Sequence, residues 1–143
     1  MEQVIQVKDI MNQKLVTLHP KEMISQAEDI FNSYKIHHIP VEVSGKLVGI
    51  LSMGDIFFNR KQKSINADKF LKNVNISIMT VEEIMTHNPI YIKPDSSIVD
   101  ALNVMDSKRV NALPVVDGGL LVGLITTYDL LKLLKSKLTS NHV

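Results

Sequence analysis

The chain contains no cysteine. That excludes disulfides, cysteine-ligated zinc and thiol catalysis, and it fits a reducing compartment. It also lacks a surplus of either charge: 16 Lys and Arg against 15 Asp and Glu leave a formal net charge of +1. No basic field therefore points to nucleic acid. Aromatic residues make up only 5% of the chain, too few to build a stacking platform for bases. No apolar run approaches the length of a membrane span. The opening MEQVIQVKDIM lacks the basic start and apolar core of a signal peptide. A cytoplasmic protein without membrane insertion is expected, serving any membrane protein as a separate chain. No Ser/His/Asp order, P-loop or HExxH pattern is present, so an enzyme is not expected.

What the chain does have is ordinary in amount. Its 143 residues are 45% hydrophobic and 22% charged, enough for a core in one ordinary domain or two very small ones. The order of those residues is more telling. Shifting the chain by 74 positions lays Val7–Phe58 on Val81–Lys132 without a gap, and 14 of the 52 pairs are identical. Chance would give about three or four, so the sequence is an internal duplication. Matched pairs include Met11/Met85, Pro20/Pro94, Ala27/Ala101, Pro40/Pro114, Gly45/Gly119, Gly49/Gly123 and Asp55/Asp129. The expected organisation is repeat 1 over 7–58, a polar, basic linker over 59–80, repeat 2 over 81–132, and a helix end with tail over 133–143. Each repeat is too short to bury its apolar faces alone, so the two are expected to pack together.

Each repeat reads as β-α-β-β-α, which places the chain in the α/β (α+β) class. KLVTL and PIYIK are short β-rich runs. Met23, Ile24, Ala27, Ile30, Phe31 and Tyr34, and then Ile98, Ala101, Leu102 and Met105, recur at helical spacing. IPVEV and KLVGIL, like LPVVD and LLVGLI, are joined by tight turns at Ser44-Gly45 and Gly118-Gly119, which predicts two hairpins. A further helix follows each hairpin, and a short one is expected near Phe70 and Leu71 in the linker.

The turn from hairpin to last helix carries a repeated motif, SMGD at Ser52–Asp55 and TTYD at Thr126–Asp129. Two readings fit it. Ser and Thr are favoured helix N-caps, and an acidic residue three positions on completes a capping box and suits the helix dipole. The same geometry suits a nucleotide, because a helix start attracts phosphate and a carboxylate can accept bonds from a ribose diol. Alone the pattern is weak. Its duplication at equivalent places makes the ligand reading much stronger.

Other features have plainer explanations. His37 and His38 are adjacent in an extended stretch and point to opposite faces, which argues against one shared metal ion. NRKQK and KLLKSK read as solvated helix faces. Leu130, Leu131, Leu133, Leu134 and Leu138 exceed what one core face needs, and the excess is a candidate dimer seam. Met11 and Met85 are expected to pack at a subunit or repeat interface.

With VKDIM, IHHIPV and GKLVGILSMGD in one half, and VEEIM, VNALPVVDGGLLVGLITTYD in the other, the chain resembles two CBS domains forming a pseudo-twofold pair, or Bateman module. The resemblance covers nearly everything outside linker and tails. It implies an adenosyl ligand, AMP, ADP, ATP or S-adenosylmethionine, held in two clefts between the repeats. Ser52 and Asp55 would hold ribose and phosphate in one cleft, Thr126 and Asp129 in the other. It further implies that Leu15, Val16, Ile36, His37 and His38 form the adenine end of the cleft with Asp129, mainly through backbone groups. Pro89, Ile90, Val110, Asn111 and Ala112 would do so for the cleft with Asp55. His37 and His38 could serve phosphates as partly charged groups. The intervening pairs differ: Gly54 leaves room where Tyr128 adds bulk, so the two sites are not equivalent. The expected role is a regulatory sensor needing no cofactor, dimeric with a second copy, read by a regulated enzyme or transporter. The alternative is a constitutive dimeric scaffold with empty clefts.

Overall fold

The computed structural model describes residues 3–65 and 75–140. In chain order the elements are α1 (Val7–Ile10), α2 (Ile24–Tyr34), β1 (His38–Val43), β2 (Lys46–Ser52), α3 (Met53–Ile65), a 3-10 turn (Ile76–Ile78), α4 (Val81–Ile84), β3 (Thr86–His87), α5 (Ile98–Lys108), β4 (Ala112–Asp117), β5 (Leu120–Thr126) and α6 (Thr127–Ser140). The short helix expected near Phe70 and Leu71 lies outside the described residues. The chain forms two compact units. One is continuous, Val16–Pro89. The other is split, Met1–Leu15 with Ile90–Val143.

In the continuous unit β2 lies between β1 and β3, antiparallel to both. The hairpin turns through Ser44 and Gly45, both at positive φ (51° and 83°), the geometry of a two-residue hairpin that matches strand twist. The split unit repeats this with β4 and β5 around Gly118 and Gly119, at φ 56° and 83°. Both hairpins carry the same bulge, between Val41 and Glu42 and between Val115 and Val116. The helices pack as their spacing requires. Ile24, Ala27 and Phe31 of α2 are buried, as are Ile98, Ala101 and Met105 of α5. Each triplet sits at i, i+3, i+7 on one face. Met23, Tyr34 and Leu102, which share the periodicity, are exposed. The two helices end in left-handed residues, Lys35 (φ 52°) and Arg109 (φ 55°), where glycine is usual.

KLVTL and PIYIK do not form the strands expected of them. Each makes one parallel bridge, Leu18 to Val41 and Ile92 to Val115. Leu18 N–H donates to Pro40 O (3.0 Å), and Glu42 N–H donates to Leu18 O (2.9 Å). The next bond of a parallel ladder would need an N–H from Pro20, and the preceding one an N–H from Pro40. Proline has none, so the ladder is closed on both sides. Pro94 and Pro114 impose the same limit on Ile92, whose two bonds are each 3.0 Å.

The compact units are offset from the sequence repeats. α4 and β3 open repeat 2 in the chain but pack in the continuous unit; α1 opens repeat 1 but packs in the split unit. Each four-residue helix docks by its otherwise unpaired first N–H groups. Val81 N–H donates to Glu22 O (2.7 Å) and Glu82 N–H to Pro20 O (3.0 Å). At the 74-residue offset, Val7 N–H donates to Ser96 O (2.8 Å) and Lys8 N–H to Pro94 O (2.9 Å). Val81 and Val7 are fully buried. Val81 joins a core of Leu18, Ile24, Phe31, Ile39, Leu51 and Ile76, while Val7 joins Ile92, Ile98, Leu113, Val115 and Ile125. Burying side chains of this size contributes about 1.5–3 kcal/mol each.

The methionine after each short helix then crosses a glycine in the middle strand. Met11 and Met85 thus meet strands of the opposite sequence repeat, each inside one compact unit. A Cβ on Gly49 would fall 2.3 Å from Met85 Sδ, and one on Gly123 would fall 2.5 Å from Met11 Sδ and 3.3 Å from Asn12 O. Only glycine lets the methionine lie this close. Gly49→Ala is predicted to destabilise the chain by about 1–3 kcal/mol through overpacking. Gly123→Ala should cost at least as much, because a backbone oxygen cannot rotate away. Adding Met85→Ala to Gly49→Ala should cost less than the sum of the two single changes, which chemical denaturation of the four-member cycle measures.

Candidate functional site

Both SxxD-type turns stand where a strand ends and a helix begins. Ser52 and Thr126 are the last residues of β2 and β5, and Asp55 and Asp129 lie in the first turns of α3 and α6. In the first copy the capping box is reciprocal: Ser52 N–H donates to Asp55 Oδ2 (2.9 Å) and Asp55 N–H donates to Ser52 Oγ (3.0 Å). In the second, Thr126 N–H donates to Asp129 Oδ2 (2.8 Å), and the Thr126 hydroxyl also donates to that oxygen (3.2 Å). The cap of α6 thus lacks the bond from the Asp129 N–H that its counterpart makes. All four side chains are half-buried. Each carboxylate uses Oδ2 on its own turn, and Oδ1 takes no hydrogen bond among the described residues.

The residues just before each hairpin proline are tied to the same junction. His38 is in register with Ser52, and Ala112 with Thr126. Met53 N–H donates to His37 O (3.1 Å), and Thr127 N–H donates to Asn111 O (2.9 Å). Sequence reasoning missed these two bonds, which occupy the first N–H of each helix. Only the strand register reveals them. His37 is exposed and His38 half-buried, as alternation along a strand requires. Burial and the neighbouring His37 push the His38 pKa below its ordinary 6.5, while Asp55 partly opposes them. Both effects disfavour a charge on His38 and weight its ring toward the neutral form, which can accept as well as donate a hydrogen bond.

The remaining candidates divide between the units. Val16, Ile36 and Pro89 belong with Ser52 and Asp55 in the continuous unit; Leu15, Ile90 and Val110 belong with Thr126 and Asp129 in the split one. Ala112 is buried and Asn111 exposed, so Ala112 can offer little beyond its backbone. Between hydroxyl and Asp the copies differ as their residues suggest. A Cβ on Gly54 would meet Ser52 Oγ at an ordinary 3.6 Å. Tyr128 stands 64% exposed with Lys132 Nζ 4.7 Å from its ring centre, a cation–π contact that puts a positive charge beside α6 where repeat 1 has Phe58. Among the described residues no three His, Asp or Glu side chains converge as a metal site would require.

The lowered pKa of His38 has a definite sign. The unfolded chain takes up this proton near pH 6.5 and the folded chain only below that, so the unfolded state gains protons first as the medium is acidified. The contribution of His38 to stability is complete above about pH 6.5 and is lost progressively below it. Denaturation at pH 8 and pH 5 should show a smaller difference for His38→Gln than for the wild type.

The family model for the CBS domain matches residues 7–61 and 81–136. A CBS domain-containing protein of Dictyostelium discoideum is 31% identical over 130 residues, which cover 90% of both chains. Homoserine O-acetyltransferase of Methanohalobium evestigatum is 34% identical over 131 residues, 90% of this chain but 24% of that enzyme. The chain spans between 21% and 42% of several such longer curated relatives. Among solved structures, the CBS domain pair of protein MJ0100 in complex with 5′-methylthioadenosine and S-adenosyl-L-methionine superposes with a TM-score of 0.80. It is 31% identical and covers 94% of this chain and 99% of that one. Two matched copies, the duplicated hairpins and the paired turns together place the chain in the CBS domain family, as a tandem pair of CBS domains.

Proposed function

We propose that this chain is a non-catalytic regulatory module that binds an adenosyl ligand through its two SxxD-type turns. The observation that carries this reading is the state of the two carboxylates. Asp55 and Asp129 each cap their own turn with one oxygen and keep the other without a hydrogen-bond partner among the described residues. That second oxygen suits a ribose diol, and the adjoining helix start suits a phosphate. The MJ0100 pair supports the ligand class, since both of its bound molecules carry an adenosyl group. AMP, ADP and ATP belong to the same class.

In this proposal Leu15, Val16, Ile36, His37 and His38, and in the other copy Pro89, Ile90, Val110, Asn111 and Ala112, contribute to adenine binding. Their backbone groups read the adenine edge. The half-site with Lys132 and Tyr128 and the one with Gly54 differ in charge and bulk, so their affinities differ. Binding shifts the protein between shapes in proportion to its differential affinity for them. In a cytoplasmic setting an enzyme or transporter reads that shift. The presence of related segments within longer enzymes supports that arrangement. The reciprocal cap at Ser52 and Asp55 favours a second reading, a dimeric scaffold in which both motifs only start helices.

Thermal unfolding against AMP, ADP, ATP and S-adenosylmethionine separates the two. At about 100 times its Kd a ligand should add about 2.7 kcal/mol of stability. Asp55→Ala and Asp129→Ala should each lose about 1 kcal/mol of capping and leave a folded chain. The double variant should show no ligand-induced shift. A shift that survives in the folded double variant overturns the site assignment, and no shift for any ligand with the wild type favours the scaffold.

A further inference from the structure

The two turns share a carboxylate and a helix start but differ in the charge set beside them. Three positions after Asp129, α6 carries Lys132; the counterpart on α3 is Phe58. Lys132 Nζ lies 4.7 Å from the ring centre of Tyr128, the residue next to Asp129. A helical side chain leans toward the N-terminus of its helix, which carries this ammonium back toward the first turn. Among the described residues it pairs with no carboxylate.

The Ser52 half-site is built without that lysine. The first basic residue of α3 is Arg60, which pairs with Glu28 and donates to Ser77 Oγ (3.0 Å). Phe58 is 62% exposed and offers only apolar surface. His38, in register with Ser52, is weighted toward its neutral form. Lys35 and Arg109 occupy equivalent left-handed caps and do not distinguish the copies. The helix starts differ in the same sense as the side chains. Asp55 N–H is taken by Ser52 Oγ (3.0 Å), whereas Asp129 N–H lacks the equivalent bond because the Thr126 hydroxyl turns to the carboxylate (3.2 Å). The Thr126 half-site therefore balances Asp129 with Lys132, and the Ser52 half-site keeps the negative charge of Asp55.

We propose that Lys132 makes the Thr126 half-site selective for 5′-phosphorylated adenosyl ligands, and that the Ser52 half-site, without this cation, prefers adenosyl ligands that carry a thioether or a sulfonium instead. This assignment depends on the adenosyl-binding role of the two turns and adds which ligand each one takes. With Asp129 holding the ribose, the 5′-phosphate has the start of α6 and the Lys132 ammonium as its surroundings. An exposed cation–π contact is weaker than a charge-assisted bond to phosphate, so a phosphate can draw the ammonium off the Tyr128 ring. At the Ser52 turn the same phosphate would meet Asp55 with no lysine at that place to offset the repulsion, whereas a sulfonium is attracted by the carboxylate. The duplication thus yields two sites that sort one ligand class by charge.

Exchanging the two residues supplies the test, since Phe58 and Lys132 are both exposed and their replacement leaves the core untouched. Titration calorimetry with AMP and S-adenosylmethionine is run at about pH 8, where ordinary imidazoles are neutral. AMP should bind the wild type at one site, lost in Asp129→Ala and kept in Asp55→Ala, and S-adenosylmethionine should show the reverse pattern. Lys132→Phe should weaken AMP about tenfold, the loss expected of one charged hydrogen bond, and leave S-adenosylmethionine unchanged. Lys132→Arg should keep AMP binding, and Phe58→Lys should admit a second AMP. AMP affinity unchanged in Lys132→Phe, equal weakening of both ligands, or a Phe58→Lys variant that still takes a single AMP overturns the proposal while the adenosyl-binding role stands. Binding of only one of the two ligands to the wild type overturns it as well. A wild type that binds neither ligand overturns the adenosyl-binding role itself, and this assignment with it.

Discussion

The contact on which the fold depends is a methionine lying across a glycine. Met85 over Gly49 and Met11 over Gly123 bring a short helix against the middle strand of a sheet, at a distance no Cβ would tolerate. The short helices have only four residues each and could not persist alone. Their first N–H groups are taken by carbonyls around Pro20 and Pro94, their valines enter the core, and their methionines seal the strand. Each compact unit is thereby completed by a segment that belongs, by sequence, to the other repeat. The duplication visible in the sequence is thus not the division visible in space.

Within that frame most backbone features recur and many side chains have diverged. Left-handed caps, hairpin turns, bulges and single-residue bridges all recur at the same offset. The differences lie at the helix starts and on the helix faces. One cap is reciprocal and the other is not. One junction carries Gly54 and Phe58, the other Tyr128 and Lys132. One pair of long helices is joined by Glu28 and Arg60, where the other carries Leu102 and Leu134. A fold built twice leaves half of its surface positions free to take a second role while the other half keeps the first.

Much of this was legible beforehand, and the failures have physical causes. Helical spacing identified Ile24, Ala27 and Phe31, and again Ile98, Ala101 and Met105, because burial repeats with the turn of the helix. Gly45 and Gly119 marked the hairpins because few residues accept positive φ. The motif at Ser52 and Asp55 was visible as a cap, since hydroxyl and carboxylate at that spacing have a local partner. KLVTL and PIYIK were overread. Their composition suits a strand, but whether a strand extends depends on its neighbour, and the neighbour's proline removes the donor. The lowered pKa of His38 was hidden because it follows from burial, which no local pattern reports. Lys35 and Arg109 in left-handed caps gave no sign, for neither residue type favours that conformation. The partner of each short helix was invisible too, since both repeats offer the same docking carbonyls.

The offset between repeats and units has a consequence for how the chain is made. The continuous unit is contained in Val16–Pro89, so it can close before β4 and β5 are made. The split unit cannot close until β5 exists, because its opening segment waits for strands more than a hundred residues away. Until then Val7 and Met11 have no sheet to cover them. The two halves of one duplicated sequence therefore differ in contact order.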